Sequence, residues 1–175
     1  MNRSIVRAVG ALSLVGAIAA CDDEEPAGLE EVESFVATLT GTSEVPSNAS
    51  TATGSAEISI VGPTLLFRID VAGLSNASAA HIHGPADPVT NAGVRVNLCG
   101  ATGVPACATG ASFTGVLSAG TATQVSGISF DSLVVLLRNG NSYVNVHTND
   151  GVGATNTGPG DLSAGELRGQ VQIAP

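Results

Sequence analysis

The chain has 175 residues, with 15 acidic side chains against 6 basic ones, a formal net charge of -9 at pH 7 and 3% aromatic residues. It contains no lysine, no tryptophan and no basic patch. Proteins that bind nucleic acids depend on basic patches and on aromatic side chains that stack on bases. We therefore expect no nucleic-acid partner.

Residues 1–20 have the pattern of an export signal. Arg3 and Arg7 flank the start of an apolar run, residues 8–20, that is too short to span a bilayer as a stable helix. The run ends in Ile18-Ala19-Ala20-Cys21, which resembles the bacterial lipobox. The resemblance implies lipidation of Cys21, a membrane anchor and a place in the bacterial cell envelope, on the periplasmic or the surface side. An ordinary signal peptide with an unrelated cysteine is the alternative.

Residues 21–34 form an acidic segment. Seven of the 15 acidic residues lie between positions 22 and 33, and the segment has no apolar periodicity. Such a composition is typical of a solvated, flexible tether. We expect residues 35–175 to form a single folded domain.

That domain is rich in glycine and in small and β-branched residues, which favours an all-β core. The predicted strands are short and bounded by Gly, Pro, Asn or Ser, and they cover residues 35–40, 53–61, 65–72, 79–83, 94–98, 112–117, 143–148 and 166–173. Alternation is clearest around Phe67, Ile69 and Val71, which share one face of their strand. We expect this face to meet the core.

Between these strands, apolar residues recur at helical spacing from Phe130 to Leu137. Ser129 or Asp131 can cap the start of this helix, and Gly140 can end it.

The final strand is predicted to be half-buried. Its buried face holds Leu167, Val171 and Ile173, which alternate with Glu166, Arg168, Gln170 and Gln172. We expect Glu166 and Arg168 to form a structural ion pair, with each other or with Glu44.

Two cysteines, Cys99 and Cys107, remain once Cys21 is assigned to lipid. An even pair in an exported protein favours a disulfide. A metal thiolate pair is the alternative, although the spacing is longer than that of a Cys-x-x-Cys clip.

All three histidines lie in strand-like segments. His81 and His83 are two residues apart, so they project from the same face of a strand. If the strand that contains His147 lies alongside, three imidazoles converge, and with an open fourth position they suit copper or zinc. The alternative is that the histidines are structural residues that hydrogen-bond across neighbouring strands.

Five blocks of sequence, in order, resemble the CHRD-domain family, which is named after chordin and found also in exported bacterial proteins. They are Glu44-Val45-Pro46, Gly73-Leu74, Ala79-Ala80-His81-Ile82-His83-Gly84-Pro85-Ala86, Tyr143-Val144-Asn145-Val146-His147-Thr148 and Gly165-Glu166-Leu167-Arg168-Gly169-Gln170. This resemblance implies an antiparallel, Greek-key-like β-sandwich of about eight strands with one short helix.

A more distant resemblance is to copper-zinc superoxide dismutases, which also carry a His-x-His strand and a late histidine on a β-sandwich. On this resemblance His81, His83 and His147 correspond to three copper ligands. The chain has no fourth histidine to bridge two metals and no histidine cluster for zinc. A complete dismutase centre is therefore excluded.

The segment 149–164 is longer than is usual in the CHRD family. Its Asn149, Asp150, Asn156 and Asp161 carry oxygen atoms of the kind that bind calcium. Their spacing matches no EF-hand loop, however, and these residue types are ordinary in turns.

The sequence shows no catalytic constellation, since it has no Gly-x-Ser-x-Gly elbow and its cysteines are assigned to lipid and a disulfide. We therefore predict a lipid-anchored, non-enzymatic binding module for a protein or glycan partner. A copper-binding or redox protein that uses the three histidines is the alternative.

Overall fold

A computed structural model describes residues 31–107, 112–118 and 126–175. In this part of the chain the fold is antiparallel β structure with one α-helix and a single 3-10 turn. The strands are β1 (Val32–Thr40), β2 (Thr53–Val61), β3 (Thr64–Ala72), β4 (Ala77–His83), β5 (Val94–Cys99), β6 (Ser112–Ser118), β7 (Tyr143–Thr148), β8 (Leu167–Gln170) and β9 (Gln172–Ile173). The helix α1 covers Phe130–Arg138, and the 3-10 turn Gly41–Ser43 follows β1.

The strands form one continuous sheet in the order β5-β4-β7-β8-β1-β2-β3-β6, with β9 paired to β1. The chain builds the meander β1-β2-β3, crosses to form β4 and β5, returns to add β6 beside β3, and comes back through α1 to place β7 between β4 and β8. These crossings give the Greek-key-like connectivity that the family resemblance implied.

One apolar core joins the two halves of the sheet. Phe35 and Ile58 of the meander half belong to the same buried cluster as Ile82 and Val144 of the other half. The sheet therefore folds over on itself like a sandwich, with these faces inward. The predicted all-β class is confirmed.

Strand β3 shows the predicted alternation. Phe67, Ile69 and Val71 are buried, while Arg68 lies on the outer face and pairs with Asp70 at 2.6 Å. The helix also matches its prediction. The Ser129 hydroxyl accepts a hydrogen bond from the Ser132 N–H, and Gly140, just beyond the helix, has a φ of +65°.

The prediction for the final strand is wrong in part. The segment is interrupted at Val171, which separates β8 from β9, and Ile173 is 64% exposed. Glu166 and Arg168, expected on the open face, are each only 1% exposed. Alternation correctly separates the two faces of β8, but loops cover the outer face, so both of its faces are buried.

Candidate metal centre

The three histidines are brought together by the pairing of β4 with β7. Ile82 points into the apolar core, so His81 and His83 on either side of it project from the opposite face. Opposed residues of antiparallel strands share a face, and His83 lies opposite Tyr143, His81 opposite Asn145, and Ala79 opposite His147. The outer face of β4 and β7 therefore carries every histidine of the chain.

The ligand nitrogens of His81, His83 and His147 all lie within 4.8 Å of one another. His81 Nδ1 and His147 Nε2 are 3.0 Å apart, at hydrogen-bond distance. In a four-coordinate site with metal–nitrogen bonds of about 2.0–2.1 Å, neighbouring nitrogens lie about 3.3 Å apart. Closing the cluster around an ion therefore requires these nitrogens to approach one another by at most about 1.5 Å.

Backbone carbonyls fix the tautomers of two histidines. His83 Nδ1 donates to the Ala92 carbonyl oxygen and His147 Nδ1 to that of Ser163, both at 2.9 Å. A carbonyl only accepts, so both Nδ1 atoms carry hydrogen and both Nε2 atoms carry lone pairs. His81 Nδ1 is then the donor in its hydrogen bond to His147 Nε2.

The lone pair of His83 Nε2 is buried and has no hydrogen-bond partner among the described residues. Leaving a buried polar atom unpaired costs free energy unless another ligand satisfies it. An imidazole that donates Nδ1–H to a carbonyl and directs a free Nε2 inward has the arrangement of a metal ligand with its outer-sphere hydrogen bond.

Burial favours the neutral form of all three imidazoles. Desolvation, together with the smaller effects of the neighbouring His147 and His83, lowers the pKa of His81 to about 4. Desolvation also lowers the pKa of His83 and of His147, against the opposing effect of the hydrogen bonds to Ala92 and Ser163. Neutral imidazole is the form that binds metals, and His83 Nε2 and His147 Nε2 carry lone pairs in that form. His81 must move its hydrogen from Nδ1 to Nε2, or turn its ring, before it can coordinate an ion with them.

Tyr143 supports His83 from one side. Its ring stacks on the His83 ring, with centroids 4.8 Å apart and planes 2° from parallel. The central carbon of the Arg168 guanidinium lies over the Tyr143 ring, 3.6 Å from its centroid. The Tyr143 hydroxyl accepts a hydrogen bond from the Ala92 N–H at 3.2 Å. Stacking on Tyr143 therefore restricts the plane of the His83 ring, and the hydrogen bond to the Ala92 carbonyl restricts its rotation.

Arg168 is a structural residue, as expected, but its partners differ from the prediction. Its guanidinium donates to Asn91 Oδ1 at 2.9 Å and to the carbonyl oxygens of Asp87 and Thr90 at 3.0 and 2.7 Å. It thus holds the loop that also contains Ala92, the partner of His83.

Glu166 is likewise surrounded by hydrogen-bond donors rather than by an arginine. Its carboxylate accepts from the hydroxyls of Ser50 and Thr148 and from the Gly160 N–H, at 2.6, 2.5 and 2.7 Å. The long loop after β7 is therefore attached to β8 next to the histidines.

Glu44 and Asn145 form a buried pair beside the cluster. Asn145 Nδ2 donates to Glu44 Oε1 at 2.5 Å. Burial raises the pKa of Glu44 to about 7, against the lowering effects of the nearby Arg168 charge and of hydrogen bonds from the Val45 backbone and Asn145. The sequence signal for this pair is the alternation of β7, which places Asn145 between Tyr143 and His147 on one face, although it does not identify Glu44 as the partner.

The oxygen-bearing residues of the long loop serve its turns. Asn149 Oδ1 accepts from the Gly151 N–H, Asp150 Oδ1 from the Val152 N–H, and Asp161 Oδ2 from the Thr157 N–H and hydroxyl. Asn156 Oδ1 accepts from the Ala164 N–H at 2.8 Å, next to the carbonyl that holds His147. Within residues 31–107, 112–118 and 126–175, the histidines are the one group of at least three ligand residues that converges.

Cys99 and Cys107 are joined by a disulfide with an S–S distance of 1.99 Å. They are therefore not a metal thiolate pair. Cys21 lies outside the described residues.

A comparison with protein-family models matches the CHRD domain over residues 35–171. The chain belongs to the CHRD-domain family. No curated protein matches it significantly. In the part of the chain that the structure describes, no helix has the length and apolarity required to cross a bilayer.

Proposed function

We propose that this CHRD domain binds a single copper ion through His81, His83 and His147. The observation that carries the proposal is the buried, unpartnered lone pair of His83 Nε2, in a cluster whose other histidines approach it within 4.8 Å. Copper is preferred because it stands highest among the divalent first-row metals in affinity for nitrogen ligands, and zinc is its natural competitor.

The residues of the chain hold and orient such an ion. His83 and His147 present Nε2 because Ala92 and Ser163 hold their Nδ1–H groups, and His81 turns a nitrogen inward once its hydrogen bond to His147 is given up. Bound copper supplies a Lewis acid and a one-electron redox couple. With three histidines in the whole chain, the site holds one ion and lacks the second metal of a copper-zinc dismutase.

Copper loading of the purified protein tests this function directly. We expect one copper per chain by metal analysis and an EPR spectrum with nitrogen hyperfine structure, both lost in the triple variant His81→Ala, His83→Ala, His147→Ala. Asp150→Ala, in the exposed loop after β7, is the matched control and should bind copper like the wild type. Binding that is substoichiometric, or unchanged in the triple variant, would overturn the proposal.

We also propose that the domain is attached to the bacterial envelope through lipid on Cys21. The basic, apolar and small-residue order of residues 1–20 supports this, as does the acidic segment between Cys21 and the start of β1 at Val32. The variant Cys21→Ser should be released from the membrane fraction or remain unprocessed. Unchanged fractionation of the variant contradicts lipidation.

A second candidate function is that of a non-enzymatic module that binds a protein or glycan partner. Family membership supports it, and so does the loop at 149–157, which is exposed throughout. Replacing residues 151–155 of this loop with a short Gly-Ser linker keeps Asn156 and Thr157 with their hydrogen bonds to Ala164 and Asp161. It should abolish capture of a specific envelope partner while leaving the domain folded. Capture that persists with the shortened loop, or that never selects a partner above background, contradicts this role.

A further inference from the structure

A cavity of about 200 Å³ lies beside the histidine cluster. Its lining includes His83, Tyr143 and Asn145 from the outer face of the sheet, with Glu44 and Asn91 from the loops. The space admits a molecule of a few heavy atoms, since a water occupies about 30 Å³ in the liquid.

Two polar atoms on residues of this lining are buried without a hydrogen-bond partner among the described residues. They are His83 Nε2 and Asn145 Oδ1, on residues that are 8% and 3% exposed. A metal satisfies the first atom. The second is an amide oxygen, so it requires a hydrogen-bond donor.

The orientation of the Asn145 amide is fixed by its neighbours. Asn145 Nδ2 donates to Glu44 Oε1, which leaves Oδ1 as the free end of the amide. A Cβ atom at Gly165 would lie 2.6 Å from Asn145 Nδ2 and 2.7 Å from Glu44 Oε1. The Glu44–Asn145 pair is therefore packed against the backbone of Gly165, and a side chain at this position would displace it.

We propose that the cavity binds a small ligand that carries both a lone pair and an O–H or N–H group, such as water, an alcohol or hydrogen peroxide. The lone pair fills the open position of the metal at His83, and the hydrogen is donated to Asn145 Oδ1. Aprotic anions such as azide bind less tightly in this cavity, because they have no hydrogen to donate and place a lone pair against Asn145 Oδ1. The inference rests on the copper site proposed above.

Azide is the probe, and the copper-loaded wild type is compared with Asn145→Leu, which keeps a similar side-chain volume and removes the acceptor. We expect azide to bind the variant about tenfold more tightly, which corresponds to about 1.4 kcal/mol, because the variant has no buried acceptor left unpaired against the anion. Asp150→Ala, the control from the exposed loop, should bind azide like the wild type. Azide affinity that stays within twofold in Asn145→Leu, with its histidine copper spectrum intact, overturns the cavity proposal alone.

A second measurement needs no variant. Electron-nuclear double resonance of the copper-loaded wild type in H₂O and in D₂O should detect an exchangeable proton that is coupled to the copper more strongly than the imidazole N–H protons of its ligands. A wild type that binds copper through histidine and shows no such proton overturns the cavity proposal, while a wild type that fails to bind copper overturns the site itself and the cavity proposal with it.

Discussion

Strands β3 and β7 have similar alternating sequences, but the outer face of β3 is exposed to water and the outer face of β7 is covered. In β3, Phe67 and Ile69 face the core while Arg68 projects into water, with its side chain 56% exposed. In β7, Val144 and Val146 face the same core, but Tyr143 and Asn145 on the outer face are each only 3% exposed. Because burial of polar groups is costly unless they are partnered, a covered polar face is where ligand chemistry is concentrated.

The largest predicted effect is the difference in stability between replacing a buried arginine and replacing an exposed one. Arg168→Met should destabilise the fold by about 3–5 kcal/mol, because Asn91 Oδ1 and two loop carbonyls lose their donor within a covered site. Arg68→Met, which breaks an exposed ion pair on β3, should leave stability almost unchanged. Urea unfolding of both variants is the measurement, and equal losses would contradict the distinction between the two faces.

The second prediction concerns the buried carboxyl of Glu44. Its pKa in the folded protein is raised from 4.5 to about 7, chiefly by burial. Between these values the folded state holds more protons than the unfolded state, so the stabilising contribution is complete below pH 4.5 and is lost as the pH rises to 7. Glu44→Gln should therefore be more stable than the wild type by about 2–3 kcal/mol above pH 7.

Urea unfolding at pH 4, 5.5 and 7.5 tests this prediction. The advantage of Glu44→Gln should disappear at pH 4, where the wild-type carboxyl is protonated in both states. A difference between the two proteins that does not depend on pH would show that the substitution acts through packing instead.

The smallest predicted effect concerns a buried hydroxyl on β7. Thr148 Oγ1 donates to Glu166 Oε2 and accepts from the Leu162 N–H at 2.9 Å, so Thr148→Val should cost about 1–2 kcal/mol. Thr38→Val, on the exposed face of β1, is the matched control and should change stability by less than about 0.5 kcal/mol. Equal effects in thermal unfolding would mean that the hydroxyl on the covered face is no more important than one in water.

Local patterns in the sequence were sufficient to predict the strands before the last one, the capped helix α1 and the shared face of His81 and His83. They failed where a loop packs on the polar face of a strand. Alternation separates Arg168 from Leu167, but nothing in that pattern indicates that residues 86–92 lie over Arg168 or that Glu44 reaches Asn145. Such contacts join residues about 80 to 100 positions apart, and they depend on the whole topology rather than on local periodicity.

The position of β1 determines how the site is presented. The described chain enters this strand at Val32, and Thr40 at the far end of the strand lies opposite Arg168 of β8. Arg168 lies opposite Asn145 of β7, and Asn145 lies opposite His81 of β4. Nine strand residues span about 26 Å from first to last. Measured along β1, the histidines therefore lie about one strand length from the point where the described chain enters the sheet, so a lipid anchor before Val32, as proposed above, would join the domain at the opposite end of this strand from the proposed ion.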